Sequence, residues 1–170
     1  MITLDDLKAI MPLAPDYVDP LNAAMSEFQI DNPRREAAFL AQIAHESGQL
    51  RWLREFASGD AYEGRKDLGN TEPGDGRRFK GRGLIQITGR ANYRACGDAL
   101  GLDLITSPEL LEEKENACRS AAWFWQKHGL NDLADKDDFL HITRRINGGT
   151  TGWDERMAFW NKAKEVLGVV

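Results

Sequence analysis

The chain has 170 residues, 42% of them hydrophobic, and carries 27 acidic against 22 basic side chains for a net charge of −5. That length and apolar content fill one good core, so a single domain is expected over residues 1–170. The acidic balance excludes a dedicated nucleic-acid binder, whose footprint is basic, and no stretch approaches the ~18 apolar residues of a membrane span, so no stable membrane insertion is expected.

The opening, MITLDDLKAIMPLAPDYV, shows no basic leader followed by an apolar run, so no signal peptide is expected. Thr3 followed by Asp6 reads as a capping box that starts a helix from Leu4 to about Met11, ended by Pro12 and Pro15. A second helix is predicted from about Pro20 to Phe28, and residues 1–32 read as helical scaffold. Asn32 as N-cap and Pro33 in the first helical position then start the central helix. From Pro33 to Ser47, Ala37, Ala38, Phe39, Leu40, Ala41, Ile43 and Ala44 cover most of the helical wheel, which predicts burial nearly all round.

Gln42, His45 and Glu46 stand at i, i+3 and i+4 on that helix, a narrow polar stripe. Such a stripe is either paired internally or faces a wet cleft, because a buried unpaired carboxylate is costly. Gly48 falls just past the helix end and puts Glu46 in the last turn, at the negative end of the dipole. That position and burial both disfavour the charged form, so a raised pKa is expected for Glu46, as a general acid requires.

Phe56 to Gly83 is loop by composition, rich in Gly, Asp and Arg. A loop this long in a compact domain is functional or disordered. Its basic cluster, Arg77, Arg78, Lys80 and Arg82, lacks the Gly-Lys-Ser/Thr ending of a phosphate loop. Leu84 to Thr88 reads as a short strand with Ile85 and Ile87 on one face and Gln86 and Thr88 on the other, beside glycines that admit a ligand to the backbone. Helices are predicted from Ala91 to Leu100, from Ser107 through ENACRSAAWFWQKHG to Gly129, from Asp137 to Ile146, and from about Trp153 to Leu167. Trp123, Phe124 and Trp125 are read as packing rather than as a sugar platform, and Cys96 and Cys118 as reduced core residues.

His45, His128 and His141 match no metal-ligand spacing, and no GxSxG elbow or EF-hand loop occurs, so carboxylate chemistry remains, with no metal and no cofactor expected. Two carboxylates acting as acid and base hydrolyse glycosidic bonds, roughly 5 to 5.5 Å apart for retention and roughly 6.5 to 9.5 Å apart for inversion. With Glu46 as the acid, the partner belongs on another element: Glu55, beyond the Gly48 break, or Glu63 in YEGR. A continuous helix would hold Glu46 and Glu55 about 13 Å apart, too far, so the break is needed.

AHESG at 44–48, the glutamate at 55, GRGLIQITGRANY at 81–93 and INGG at 146–149, in this order, resemble glycoside hydrolase family 19, and the opening LKAIMP is similar to that of its compact phage lysozymes, the endolysins. The resemblance implies a mainly α (α+β lysozyme-like) fold, two helical lobes flanking a glycan cleft with a small β-hairpin or short sheet, and an inverting mechanism without cofactor. It makes residues 33–150 the catalytic core and 151–170 a C-terminal helix. By position Glu46 matches the general acid, Glu55 the general base and Thr88 the hydroxyl residue that holds the attacking water. Gln86, Tyr93 and Asn147 match residues lining the sugar sites, and Arg82 in the GRG turn and His45 beside the acid are taken with them as substrate-binding. The implied activity is cleavage of peptidoglycan between N-acetylmuramic acid and N-acetylglucosamine by a monomer made in the host bacterial cytoplasm and reaching the wall after membrane release. A chitinase using the same residues, and a non-catalytic glycan-binding or virion structural protein on the same fold, are the alternatives. Two positions depart from the pattern HESGG…EN-x-NY of such endolysins: Gln49 and Phe56.

Overall fold

Nine α-helices form along the chain: α1 Leu4–Ile10, α2 Val18–Glu27, α3 Pro33–Glu46, α4 Asp75–Arg78, α5 Arg90–Leu100, α6 Lys114–Lys127, α7 Leu130–Asp135, α8 Phe139–Asn147 and α9 Trp153–Leu167. The structure is a computed structural model that describes residues 1–170. The mainly α architecture is the expected one, and no helix is long and apolar enough to cross a membrane.

Local signals set the helix starts. The Thr3 hydroxyl accepts from the Asp6 N–H at 3.1 Å while the Asp6 carboxylate accepts from the Thr3 N–H at 2.9 Å, a complete capping box on α1. The Asn32 side chain accepts from the Arg35 N–H at 3.0 Å and Pro33 occupies the first turn of α3. Every residue from Glu36 to Ala44 is buried. The most extensive partner of α3 is α9, while α2 packs on α6 and the short α7 braces α3 and α8. Trp125 of α6 meets Phe39 of α3 edge-on, ring centroids 5.4 Å apart. Cys96 and Cys118 are free, fully buried thiols, and burial pushes both up to about 12.

Three expectations need correction. The segment Leu84–Thr88 is not a strand but the tip of a tight hairpin: Arg82 and Ile87 exchange both backbone hydrogen bonds, at 3.1 and 2.9 Å, and residues 83–86 turn between them. The β structure of the protein consists of two isolated antiparallel bridges, Arg54 with Arg82 and Arg82 with Ile87. Leu84 is buried with Ile85 and Ile87, which a period of two forbids and a turn allows. The helix expected from Ser107 to Gly129 is broken at Glu113, whose extended backbone separates a 3-10 turn, Pro108–Glu112, from α6. Gly129, with φ +69°, ends that run only to start α7, which no pattern in the sequence announces.

The loop from Phe56 to Gly83 is ordered by polar cross-links. Both Asp75 carboxylate oxygens accept from Arg90, at 2.8 Å each, and Arg90 also pairs with Glu72 at 2.6 Å. Asn70 accepts from the Arg90 N–H at 2.8 Å and donates to the Tyr62 carbonyl at 2.9 Å. The Arg90 guanidinium holds the buried Asp75 carboxyl below its ordinary value, against the opposing effect of burial. A depressed folded-state pKa stabilises above the unfolded aspartate value of about 3.9, and that stabilisation is lost as pH falls through the folded value. Asp75→Asn is therefore expected to lower stability by about 2–3 kcal/mol at neutral pH. In thermal melts the gap from the parent protein closes below about pH 4, as the parent loses the same interaction.

Candidate active site

Glu46 ends α3 with its side chain about a quarter exposed, and its Oε1 accepts from Arg156 of α9 at 2.6 Å. The Arg156 side chain is only 1% exposed. It also donates to the Gln42 carboxamide oxygen and to the Thr151 carbonyl, at 2.9 Å for the latter. Gln42 in turn donates to the Thr143 hydroxyl at 2.9 Å, which donates to the Phe139 carbonyl at 2.9 Å. The polar stripe thus does both things open to it: Gln42 is paired inside and Glu46 reaches the surface. Glu46 thereby meets an opposite charge that is distant in sequence. His45 Nδ1 lies 2.8 Å from Glu155 Oε1, and a side chain at Gly152 would collide with the His45 ring. Asn147 is exposed at the end of α8. In the amide orientation that satisfies both neighbours it accepts from the Gly149 and Thr151 N–H groups at 3.3 and 3.2 Å, shaping the loop against His45.

Past Glu46 the chain reverses in three residues. Gly48, Gln49 and Leu50 all adopt left-handed conformations, φ +58°, +60° and +66°. Leu50 is buried and its N–H donates to the Ser47 hydroxyl at 2.8 Å, while Trp52 folds back over Gly48. The reversal carries Glu55 to the hairpin, where its N–H donates to the Gly81 carbonyl at 2.9 Å. Glu55 Oε2 accepts from the Tyr62 hydroxyl at 3.0 Å, and burial followed by this bond raises the Tyr62 phenol above its ordinary value. Glu55 Oε1 is buried without any protein partner. Glu63 differs: both its oxygens are held by backbone N–H groups, Gly74 at 3.0 Å and Gly76 at 2.8 Å, at the start of α4.

Gly81 is the floor of this side. A methyl there would lie 2.7 Å from Glu55 Oε2 and 2.6 Å from Gln86 Oε1, so the two side chains meet over its Cα. Gln86 and Thr88 point outward from the hairpin as expected and line a pocket of about 160 Å³ with Asn92, Trp123, Lys127 and His128. Trp125 packs in the core and Trp123 and Phe124 pack half-buried against it, as expected, while also lining this pocket.

Tyr93 and Arg82 also need correction. Tyr93 is fully buried; its hydroxyl donates to the Lys80 carbonyl and accepts from Arg82 at 3.0 Å, so it braces the hairpin from within and does not reach a sugar. Arg82 is buried and spent on Glu112 at 2.9 Å and the Arg78 carbonyl at 2.7 Å. Two more arginines of the basic cluster are likewise committed, Arg77 to Asp60 and Arg78 to the carbonyls of Ile105 and Thr106. Sequence reasoning missed Arg156, Asn92, Lys127 and His128. A signal for Arg156 existed: it falls on the same helical stripe as Trp153, Trp160 and Ala163, where a charge is out of place.

A carboxylate at the end of a buried helix, a second over a glycine floor, and hydrogen-bonding side chains beside it are the candidate site of a mainly helical protein. The chain matches the family of class I chitinases, glycoside hydrolase family 19, over residues 23–136, and belongs to that family. It is 33% identical over 156 residues to a glycosyl hydrolase family 19 domain-containing protein of Haemophilus influenzae, covering 74% of this chain and 76% of that one. It is 40% identical over 117 residues to an endochitinase of Arabidopsis thaliana, covering 68% of this chain but only 40% of the plant protein. Among solved structures, chitinase C of Streptomyces griseus aligns over 98% of this chain and 76% of its own, with a TM-score of 0.82 at 23% identity. A bacterial family 19 chitinase aligns over 99% and 96%, with a TM-score of 0.84 at 24% identity. These two likenesses show the fold; the family match makes the chain a glycoside hydrolase.

Gly81→Ala tests the glycine floor. The added methyl is expected to displace the Glu55 carboxylate and the Gln86 amide, and misplacement of a reacting group by about 1 Å is worth roughly 10²-fold in rate. Hydrolysis of glycol chitin should fall by about that factor. The melting temperature should move little, because the displaced atoms are the ends of flexible side chains.

Proposed function

We propose that this chain is a peptidoglycan hydrolase of the phage lysozyme type, cleaving the β-1,4 bond between N-acetylmuramic acid and N-acetylglucosamine with inversion. Glu46 protonates the leaving oxygen, Glu55 takes a proton from the attacking water, and the Thr88 hydroxyl orients that water. The observation that carries the assignment of the base is the contrast between two glutamates. Glu55 has a shielded oxygen free of protein donors, whereas both Glu63 oxygens are held by backbone N–H groups that build the loop. Gln86 and Asn147 bind the sugar chain on either side, with His45 supporting the Asn147 loop. The enzyme acts as a monomer, made in the host cytoplasm and admitted to the wall through a membrane lesion. The peptidoglycan assignment is supported by the order and spacing of the endolysin-like motifs.

A second reading, a chitinase acting on poly-N-acetylglucosamine, is favoured by the names of the plant relatives, which are endochitinases. Digestion of purified peptidoglycan and of chitin, followed by borohydride reduction and mass spectrometry, separates the two. New reducing ends on muramic acid are expected; cleavage of chitin alone would replace the first reading with the second.

Glu46→Gln should lower kcat by roughly 10²–10⁴-fold without unfolding, because the amide oxygen still accepts from Arg156. Glu55→Gln is expected to cost a similar factor, and Glu63→Gln to act mainly through the melting temperature of the loop. A larger kcat loss at Glu63 than at Glu55 would reverse the choice of base.

A further inference from the structure

The pocket beside the hairpin contains a charge that the hydrolysis of a neutral glycan does not use. Lys127, the last residue of α6, lines it together with Gln86, Thr88, Asn92, Trp123 and His128. Its ammonium lies over the Trp123 ring, 4.8 Å from the centroid, so the aromatic face directs it to the pocket. None of the side chains lining the pocket is acidic. His128 Nδ1 lies 2.8 Å from the Phe124 carbonyl and therefore carries the hydrogen, leaving Nε2 as the ring's open position. The imidazole is stacked on Phe124 with centroids 4.0 Å apart, which fixes it at the rim. The same pocket begins at Gln86, whose amide meets the Glu55 carboxylate over Gly81. A cation is thus held, without a protein anion, one side chain away from the candidate base.

We propose that Lys127 selects glycans bearing a carboxylate next to the sugar bound at Gln86 and Thr88, so that the site discriminates between anionic and neutral β-1,4-linked N-acetylated glycans. The stem peptides of peptidoglycan carry such carboxylates and chitin does not. The inference deepens the peptidoglycan reading but rests only on the hydrolysis of a β-1,4 glycan in this cleft. A lysine in the last turn of a helix also has a purely local use, complementing the helix dipole, and the experiment is chosen to tell the two apart.

Carboxymethyl chitin and glycol chitin share a backbone and differ in charge, so the readout is the ratio of their kcat/KM values. In Lys127→Met that ratio is expected to fall about fivefold, the upper end for an ion pair open to solvent, and Lys127→Arg should restore it. Raising the ionic strength should carry the parent enzyme toward the Met variant, since an exposed pair is screened by salt. Equal losses on the two polymers, or an unchanged ratio with only a shifted melting temperature, would overturn the proposal and leave Lys127 a helix-end residue. If muramic acid ends are absent from peptidoglycan digests while the ratio still depends on Lys127, the selectivity stands and the peptidoglycan reading falls. Muramic acid ends with a ratio indifferent to Lys127 would leave the peptidoglycan reading standing and overturn the selectivity.

Discussion

The Arg156 guanidinium ties the last helix, α9, to the C-terminal end of the central one, α3, and the rest of the candidate site is arranged around that contact. An arginine that is 1% exposed is expensive to desolvate, and its partners account for why it is tolerated: one carboxylate, one carboxamide oxygen and one carbonyl. The bonds continue through Gln42 and Thr143 to the backbone of α8, so three helices are joined in one polar chain through an apolar core. A buried ion pair of this kind is weak evidence for stability, since apolar side chains of the same volume often do as well. Its effect here is on geometry. It fixes the Glu46 carboxylate against α9.

Just past the end of α3 the chain turns back sharply. Gln49 and Leu50 follow Gly48 in the left-handed region, where each non-glycine residue costs about 1–2 kcal/mol. The turn persists because its surroundings over-determine it: Leu50 is buried, Ser47 accepts from the Leu50 N–H, and Gln49 N–H donates to the Ala44 carbonyl at 2.8 Å. Trp52 and Phe56 emerge from it exposed and edge to face, centroids 5.5 Å apart. The strain is the consequence of bringing Glu55 to the hairpin within nine residues of Glu46.

What the sequence disclosed follows the range of the interactions. The start of α3, the burial of its wheel, the stop at Gly48 and the whole of α9 rest on local patterns and were legible. So was the outward face of Gln86 and Thr88, because an alternation survives when a strand becomes a hairpin tip; the burial of Leu84 did not fit that alternation and was missed. Interactions between distant residues were out of reach. Arg156 meets Glu46 across 110 positions, and the loop from Phe56 to Gly83 is ordered by Arg90 binding Asp75 rather than by any periodicity of its own. Tyr93 and Arg82 sit in the matched motif and yet face inward, since a motif records the positions a fold needs without saying which of them touch the ligand.

The three glutamates in question differ in how many of their oxygens the protein occupies. Glu63 has both oxygens bound to backbone N–H groups, so any proton or water would have to compete with the bonds that start α4. Glu46 has Oε1 fixed by Arg156, and a carboxylic acid can still accept there through its carbonyl oxygen; a proton on Glu46 is thereby directed to Oε2. Glu55 is the mirror case, with Oε2 fixed by a neutral phenol and Oε1 left without a donor in a shielded position. A cation stands behind one carboxylate and a neutral phenol behind the other, so the two chemically identical side chains sit in unlike environments.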